Sequence, residues 1–345
     1  MTAAEIQSLA AAAGFDAVAV APAERAPHAE AFHSWLADGH HASMAWLARE
    51  PARRCDPQLV LPGARSVIVL AMNYFVPDEP ESESGGARGR IARYARGRDY
   101  HNLIPKRLRT IDRALAAAGG RQRCLVDSGP LLERDFAALS GLVWHGKSTL
   151  ALHPKLGTWF LLAEVLTTLD IAPGGPPLPD RCGSCTRCIV ACPTGAIIAP
   201  HKVDARKCLS YWTIEHKGPL PEEIRDRLGD RIFGCDDCLD ACPWNRFATA
   251  SREASFAVRP SSRWPLRDYL SLDDGAFRTL FEGSPIRRAG RQGFLRNVCT
   301  ALGHVGGAGD LPALERAARD PDAVVAEHAA WAIPRILGRE SEVRR

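Results

Sequence analysis

The sequence predicts a multidomain α+β protein in three parts: an α/β domain over residues 1–175, a small cysteine-rich domain over 176–250, and an α-helical, HEAT-like repeat domain over 251–345. Three observations predict it. In the first part, short β-branched apolar runs alternate with helical patterns. In the second, eight of the chain's 11 cysteines fall between Cys182 and Cys242. In the third, the chain becomes Ala/Leu-rich with helical periodicity. With 345 residues, 46% of them hydrophobic, the chain can bury its own cores without disulfide staples.

The α/β assignment rests on "DAVAVAP", "SVIVLAMNYF" and "QRCLVDSG", which read as strands. Between them lie helical patterns such as "HAEAFHSWLADG" and "NLIPKRLRTIDRALAAAGG". Such alternation argues for a layered domain. No G-x-G-x-x-G opens a helix after a strand, so the usual dinucleotide site lacks support. The N-terminus shows no positive n-region and no cleavage site, and no apolar run reaches the roughly 18 residues of a membrane span. A cytoplasmic protein is expected.

The cysteine-rich part follows the Gly/Pro-rich linker "APGGPPLPD". "RCGSCTRCIVACP" places Cys182, Cys185, Cys188 and Cys192 in the spacing C-x2-C-x2-C-x3-C-P. Disulfides do not fit a cytoplasmic chain with its own core. Zinc, the remaining alternative, normally takes two Cys-x2-Cys or Cys/His pairs around one ion. The spacing is instead the bacterial ferredoxin run, whose fourth cysteine ligates a second cluster. That second cluster has its ligands in "GCDDCLDACPWN", with Cys235, Cys238 and Cys242, and in Cys208 of "ARKCLSYW". The crossing rule groups Cys182, Cys185 and Cys188 with Cys242, and Cys208, Cys235 and Cys238 with Cys192. Two 4Fe-4S clusters are expected. Cys55, Cys124 and Cys299 are isolated and receive no role.

In the third part, "DPDAVVAEHAAWAI" has the form of a HEAT-type repeat, and "IRRAGRQGFLRN" carries Arg287, Arg288, Arg291 and Arg296 without an intervening acid. A second basic run, Arg88 to Arg109, holds eight Lys/Arg, one acid and two tyrosines. The net charge of +4 is too small to demand a polyanion partner. The Arg clusters do make phosphate contact a reasonable expectation.

Taken together, "RYARGRDYHN", "VDSGPLLERDFAALSGLVWHGKSTL", the double cysteine run with "CPTGAI", "VDARKCLSYWTIE", "GCDDCLDACPWNR" and "SPIRRAGRQGFLRN" resemble the epoxyqueuosine reductase family. The resemblance covers nearly the whole chain. One small departure is Gly157-Thr158, where the family usually has Gly-Ser. The resemblance implies a cobalamin-dependent oxidoreductase that completes queuosine in transfer RNA. Its α/β domain would bind cobalamin, the middle domain would be a ferredoxin-type unit with two 4Fe-4S clusters, and Arg287, Arg288 and Arg291 of the helical domain would contact transfer RNA. A monomer fed by an external electron donor of flavodoxin or ferredoxin type is expected.

Removing an epoxide oxygen to leave an alkene takes two electrons and two protons. Asp127 is the expected proton donor, because it ends the strand "QRCLVD" at a turn and matches the family's catalytic aspartate; the plain alternative is a helix cap. Acting near neutral pH calls for a raised pKa, which a water-poor pocket would supply. Lys147, in the Gly-containing turn "WHGKS", and Arg54 are expected cofactor contacts, as are Asp127 itself and Ser210, Gly234 and Asp236, which flank cluster ligands. No D-x-H-x-x-G occurs, so a histidine replacing the lower base of cobalamin is not expected; His101 and His145 read as loop histidines. A cytoplasmic reductive dehalogenase-like enzyme and an iron–sulfur electron carrier are the competing functions.

Overall fold

The structure, a computed structural model, describes residues 1–78 and 85–343. Its first part is built on a sheet of four strands: β1 (Ala17–Pro22), β2 (Ser66–Asn73), β3 (Gln122–Leu125) and β4 (Phe160–Thr167), in the order β1-β2-β4-β3. β2 is buried at every position. Its side chains alternate between two cores, as the two-residue period of a strand requires. Ile68, Leu70 and Met72 pack with Ile6 and Ala10 of α1 (Ala3–Ala12) and with Ile104, Leu108 and Ile111 of α2 (Tyr100–Ala117). Val67, Val69 and Ala71 pack with Phe136 and Ala137 of α3 (Glu133–Leu139) on the other face. Helices therefore cover both faces, which explains the uninterrupted apolar run "VIVLAM".

Every neighbouring pair in this sheet is antiparallel. The alternation of strand and helix patterns predicts a layered domain and leaves open whether its strands run parallel or antiparallel. Periodicity reports which faces are buried and reads the same in either strand direction, so it could not distinguish the two. Asp127 follows β3, which pairs with β4 at the edge of the sheet.

In the cysteine-rich part, two short helices, α4 (Arg187–Ala191) and α5 (Leu209–Ile214), precede α6 (Asp237–Asp240), and α4 packs on α6. In the helical part, α7 (Gly290–Val305) is buried at every residue from Gly293 to Gly303 and packs on the long α9 (Ala323–Val343), with α8 (Leu311–Ala317) beside it. A helix apolar on one side only could not be enclosed this way. α7 carries Arg296 and Asn297 inward to close the ends of cysteine-domain segments. Arg296, 0% exposed, donates to the carbonyls of Trp212 (2.6 Å), His216 (3.1 Å) and Gly218 (2.7 Å). Asn297 donates to the carbonyls of Thr213 and Ile232.

The parts interlock. Strand Arg231–Phe233 pairs with Arg90–Ile91 of the first part, and Asn73 Nδ2 donates to the Thr249 carbonyl at 2.8 Å. Among the described residues no helix is long and apolar enough to cross a membrane.

Candidate active site

The turn after β3 sets the chemistry. Asp127 sits at φ +48°, in the left-handed region that few non-glycine residues occupy, and its carboxyl is 55% exposed toward a cavity. Oδ2 accepts from Tyr100 Oη at 2.8 Å and from His101 Nε2 at 3.2 Å, both on the first turn of α2. The other ring nitrogen of His101 lies 2.8 Å from Asp99 Oδ1, and Asp99 also caps the helix. An imidazole held between two carboxylates favours its charged form. The bond to Asp127, then that to Asp99, outweighs burial, and His101 is pushed up to about 9.

Asp127 itself goes the other way. Burial raises its carboxyl, but the hydrogen bonds from His101 and Tyr100 and the charges of His101 and Arg288 outweigh burial, leaving it below its ordinary value. The expectation of a raised Asp127 is therefore corrected: the proton resides on His101, one hydrogen bond away. Sequence reading passes over Tyr100 and takes His101 for a loop histidine, because their contact with Asp127 is made by the fold and spans 26 residues or more.

The cavity holds about 1210 Å³ and is lined by Tyr100, His101 and Asp127, by Cys208 and Ser210, and by Arg287 and Arg288. Arg54 also lines it; its Nη atoms donate to the carbonyls of Gly129 and Trp46 at 3.3 Å, which ties the Asp127 turn to the chain before β2. On another part of the wall, buried Asp135 accepts the backbone N–H of His28 at 2.9 Å and has both the His28 and His145 rings against Oδ1, at 3.0 and 3.2 Å.

Other expected contacts lie elsewhere. Lys147 is not on the cavity wall: its ammonium donates to the carbonyls of Gly183 (2.5 Å) and Cys185 (3.2 Å), pinning the first cysteine loop. Gly234, at φ +71°, faces Ala92 so closely that a Cβ would stand 2.5 Å from the Ala92 Cβ. Asp236 accepts the Arg93 N–H at 2.7 Å, and burial first pushes its carboxyl up to about 6. Neither residue lines the cavity. Thr158, the departure from the usual serine, donates its hydroxyl to Asn245 Oδ1 at 3.0 Å.

The eight cysteines of the two runs gather in two groups. Cys242 lies within electrostatic reach of Cys182, Cys185 and Cys188, while Cys238 lies within reach of Cys192, Cys208 and Cys235. None of these thiols is in a disulfide. Cys208 is the cysteine that also borders the cavity.

The arginines divide. Arg287 and Arg288 are exposed at the cavity, and Arg288 makes a two-pronged bond to Glu215 at 2.6 and 3.2 Å. Arg291 is turned inward, 13% exposed, with its guanidinium on both Asp320 oxygens and the Leu272 carbonyl. Three of its five N–H groups are held this way and the side chain faces the interior, so it is far less open to a phosphate than Arg287 and Arg288. The run from Arg88 is largely paired too: Arg90 with Asp230 and Asp237, Arg93 and Arg96 with Asp78, and Arg107 with Glu253.

Comparison with known proteins agrees with this geometry. Residues 181–245 match the 4Fe-4S double cluster binding domain, and residues 54–128 match the model described as epoxyqueuosine reductase QueG, DUF1730. The epoxyqueuosine reductase of Xanthomonas campestris pv. campestris is 42% identical over 96% of this chain and 95% of its own. That of Escherichia coli K12 is 36% identical over 95% and 88%. A crystal structure of epoxyqueuosine reductase with an epoxyqueuosine-modified tRNA-Tyr stem loop superposes with a TM-score of 0.90 at 29% identity, covering 96% of this chain and 89% of that one. A Bacillus subtilis epoxyqueuosine reductase, described with its catalytic aspartate loop swung out of the active site, superposes with a TM-score of 0.87 at 29% identity, over 96% and 90%.

Proposed function

Because the chain belongs to the epoxyqueuosine reductase family of oxidoreductases, we propose that it reduces epoxyqueuosine in a transfer RNA anticodon to queuosine within the cavity that Asp127 lines. The observation that carries this reading is the meeting, in one cavity, of an acid with a proton beside it, a cluster cysteine and two exposed arginines. An epoxide reduction needs all three: protons, electrons and a grip on the nucleic acid.

The cavity suits cobalamin. At about 1210 Å³ it exceeds the roughly 300–1,000 Å³ of ordinary ligand pockets. It also offers a buried polar atom without a hydrogen-bond partner, Arg54 Nε, to the amides of a corrin rim. When bound and reduced, cobalamin supplies a strongly nucleophilic metal centre. Arg54 and Ser210 would contact it directly, and Gly234 and Asp236 would act through the backbone they support. Asp127 would protonate the oxygen released from the epoxide, recharged by His101, and Tyr100 would fix the carboxyl orientation. The Asp127 turn would be the element that moves, by analogy with the loop of the Bacillus subtilis enzyme.

Within the double-cluster domain, Cys182, Cys185, Cys188 and Cys242 would hold one 4Fe-4S cluster. Cys192, Cys208, Cys235 and Cys238 would hold the other, beside the cavity because Cys208 lines it. An external flavodoxin- or ferredoxin-type donor would reduce the outer cluster. By analogy with the stem-loop complex, Arg287 and Arg288 would meet anticodon phosphates. The division into residues 1–175, 176–250 and 251–345 would then separate acid and corrin, electron supply, and nucleic-acid grip. Anaerobic incubation of reconstituted protein with cobalamin, a strong reductant and an epoxyqueuosine-bearing stem loop tests the reading: queuosine should form, and its absence with both clusters and cobalamin loaded would refute it.

A further inference from the structure

Of the two cysteine groups, the one formed by Cys182, Cys185, Cys188 and Cys242 has no member on the cavity wall. Its surroundings take no part in the reaction as described. They are open. Gly183, Ser184 and Thr186 are small and exposed, so another molecule can approach the thiolates closely. Val190 is 81% exposed, the highest figure among the large apolar side chains of the described residues. It follows Cys188 by two positions on α4, and two positions turn a helix by about 200°, so it points out on the face opposite that cysteine. Trp144, Trp244 and Phe247 form a row of rings with centroids 4.8 and 5.5 Å apart, which ends at the exposed Phe247.

Charge here is mostly of one sign. Arg181 adjoins Cys182, Arg187 adjoins Cys188, Arg246 follows Cys242 by four residues, and all three are exposed. None forms an ion pair among the described residues. Arg181 and Arg246 rest instead on the ring faces of Trp144 (5.9 Å) and Phe247 (4.6 Å), which holds each guanidinium without cancelling its charge. Lys147 adds a fourth positive charge at the Gly183 and Cys185 carbonyls. The acids nearest in the chain are engaged: Asp180 Oδ1 accepts the Cys182 N–H at 2.7 Å, and Asp240 lies 3.6 Å from Arg93. Along the Arg88–Arg109 run, by contrast, Arg90, Arg93, Arg96 and Arg107 each meet an acid.

An apolar centre with like charges around it is the build of a transient interface whose partner is steered by opposite charge. We propose that Val190, with Arg181, Arg187 and Arg246 around it, is the docking surface for the electron donor, a small acidic flavoprotein of flavodoxin type. The apolar centre selects a flavin carrier, because the benzenoid edge of a flavin is itself apolar and would seat on Val190. In each encounter the reduced flavin loses one electron and the cluster gains it. Two encounters supply the two electrons that the epoxide consumes, while its protons arrive separately through Asp127. This deepens the reading of the double-cluster domain as the electron supply, and rests on it.

The probe is a labelled acidic flavodoxin, added anaerobically to cluster-loaded protein, with binding read by fluorescence anisotropy and cluster reduction by stopped-flow absorbance. Replacing Arg181, Arg187 and Arg246 together by Gln should weaken binding about tenfold at about 50 mM salt and hardly at all at about 0.5 M, where exposed charges are screened. Val190→Asp, at a fully open position, sets an acid against an acidic partner and should weaken binding and slow reduction by flavodoxin about tenfold. Iron content, stem-loop affinity and queuosine formation driven by dithionite should stay at the wild-type level. Should the triple variant lose iron, Val190→Asp alone decides. Flavodoxin binding within about twofold of wild type in the iron-replete variants would overturn the proposal. So would an acidic ferredoxin bound in place of flavodoxin, or lost stem-loop affinity in the triple variant, which would make the patch a nucleic-acid contact. Dithionite tells the two readings apart: if wild type makes no queuosine with it the functional reading fails, whereas normal dithionite-driven turnover beside unaltered flavodoxin binding removes the docking surface alone.

Discussion

Replacing His101 with Gln keeps a donor toward Asp127 and removes the group that carries the proton. The magnitude follows from the structure. His101 rises from 6.5 to about 9, a difference of about 2.5 pH units, or roughly 3 kcal/mol at about 1.36 kcal/mol per unit. The side chain is 34% exposed, so solvent screening reduces this to about 1–2 kcal/mol. The sign is that of a cation gaining partners. The stabilisation is complete below about pH 6.5 and is lost as pH rises through about 9, so a thermal scan of His101→Gln against wild type should show a gap at pH 6 that closes near pH 9.5. Turnover should respond more strongly. With no imidazolium to recharge Asp127, the pH 7 rate should fall by about 10²-fold or more, and the wild-type decline above about pH 9 should disappear. Stopped-time assays on the stem loop across pH 6–10 read both. A His101→Gln rate within threefold of wild type, with the alkaline decline unchanged, would refute the role of His101.

Further outcomes follow from the same geometry. Anaerobically reconstituted protein should bind about eight irons with matching sulfide, and Cys242→Ser should damage the cluster served by Cys182, Cys185 and Cys188; iron and sulfide assays with paramagnetic resonance check this. Arg287→Ala and Arg288→Ala should each flatten the salt dependence of stem-loop binding by about one unit per lost phosphate contact, measured by fluorescence anisotropy. Arg291→Ala should leave that slope alone and instead cost about 2 kcal/mol of stability, because it strands Asp320, itself only 8% exposed, without its partner. Gly234→Ala should lower thermal stability and iron content together, since its Cβ would collide with Ala92 one residue before Cys235.

The cysteines were legible because ligand spacing within a short loop is a local property, and the reciprocal Cys-Pro ends revealed which residues leave one group for the other. Asp127 was legible from its place at the end of a strand. What the sequence hid depends on long-range contact. Tyr100 and His101 sit in a basic run that reads as a solvated face, yet their ring atoms meet Asp127 across the fold. Arg291 and Arg296 looked like their neighbours Arg287 and Arg288, but helical phase turns them into the interior, where Asp320 and a set of backbone carbonyls wait. Strand direction was hidden because an apolar run carries no arrow.

The most direct test of the central claim is Asp127→Asn, assayed with cobalamin, both clusters and epoxyqueuosine-bearing stem loop in place, by nucleoside mass spectrometry. Asn fits the turn and accepts from Tyr100 but cannot deliver a proton. The account predicts a product one oxygen lighter than substrate from wild type, a rate lower by about 10²–10⁴-fold in the variant, and unchanged iron content and stem-loop affinity. Turnover by Asp127→Asn within threefold of wild type would contradict it.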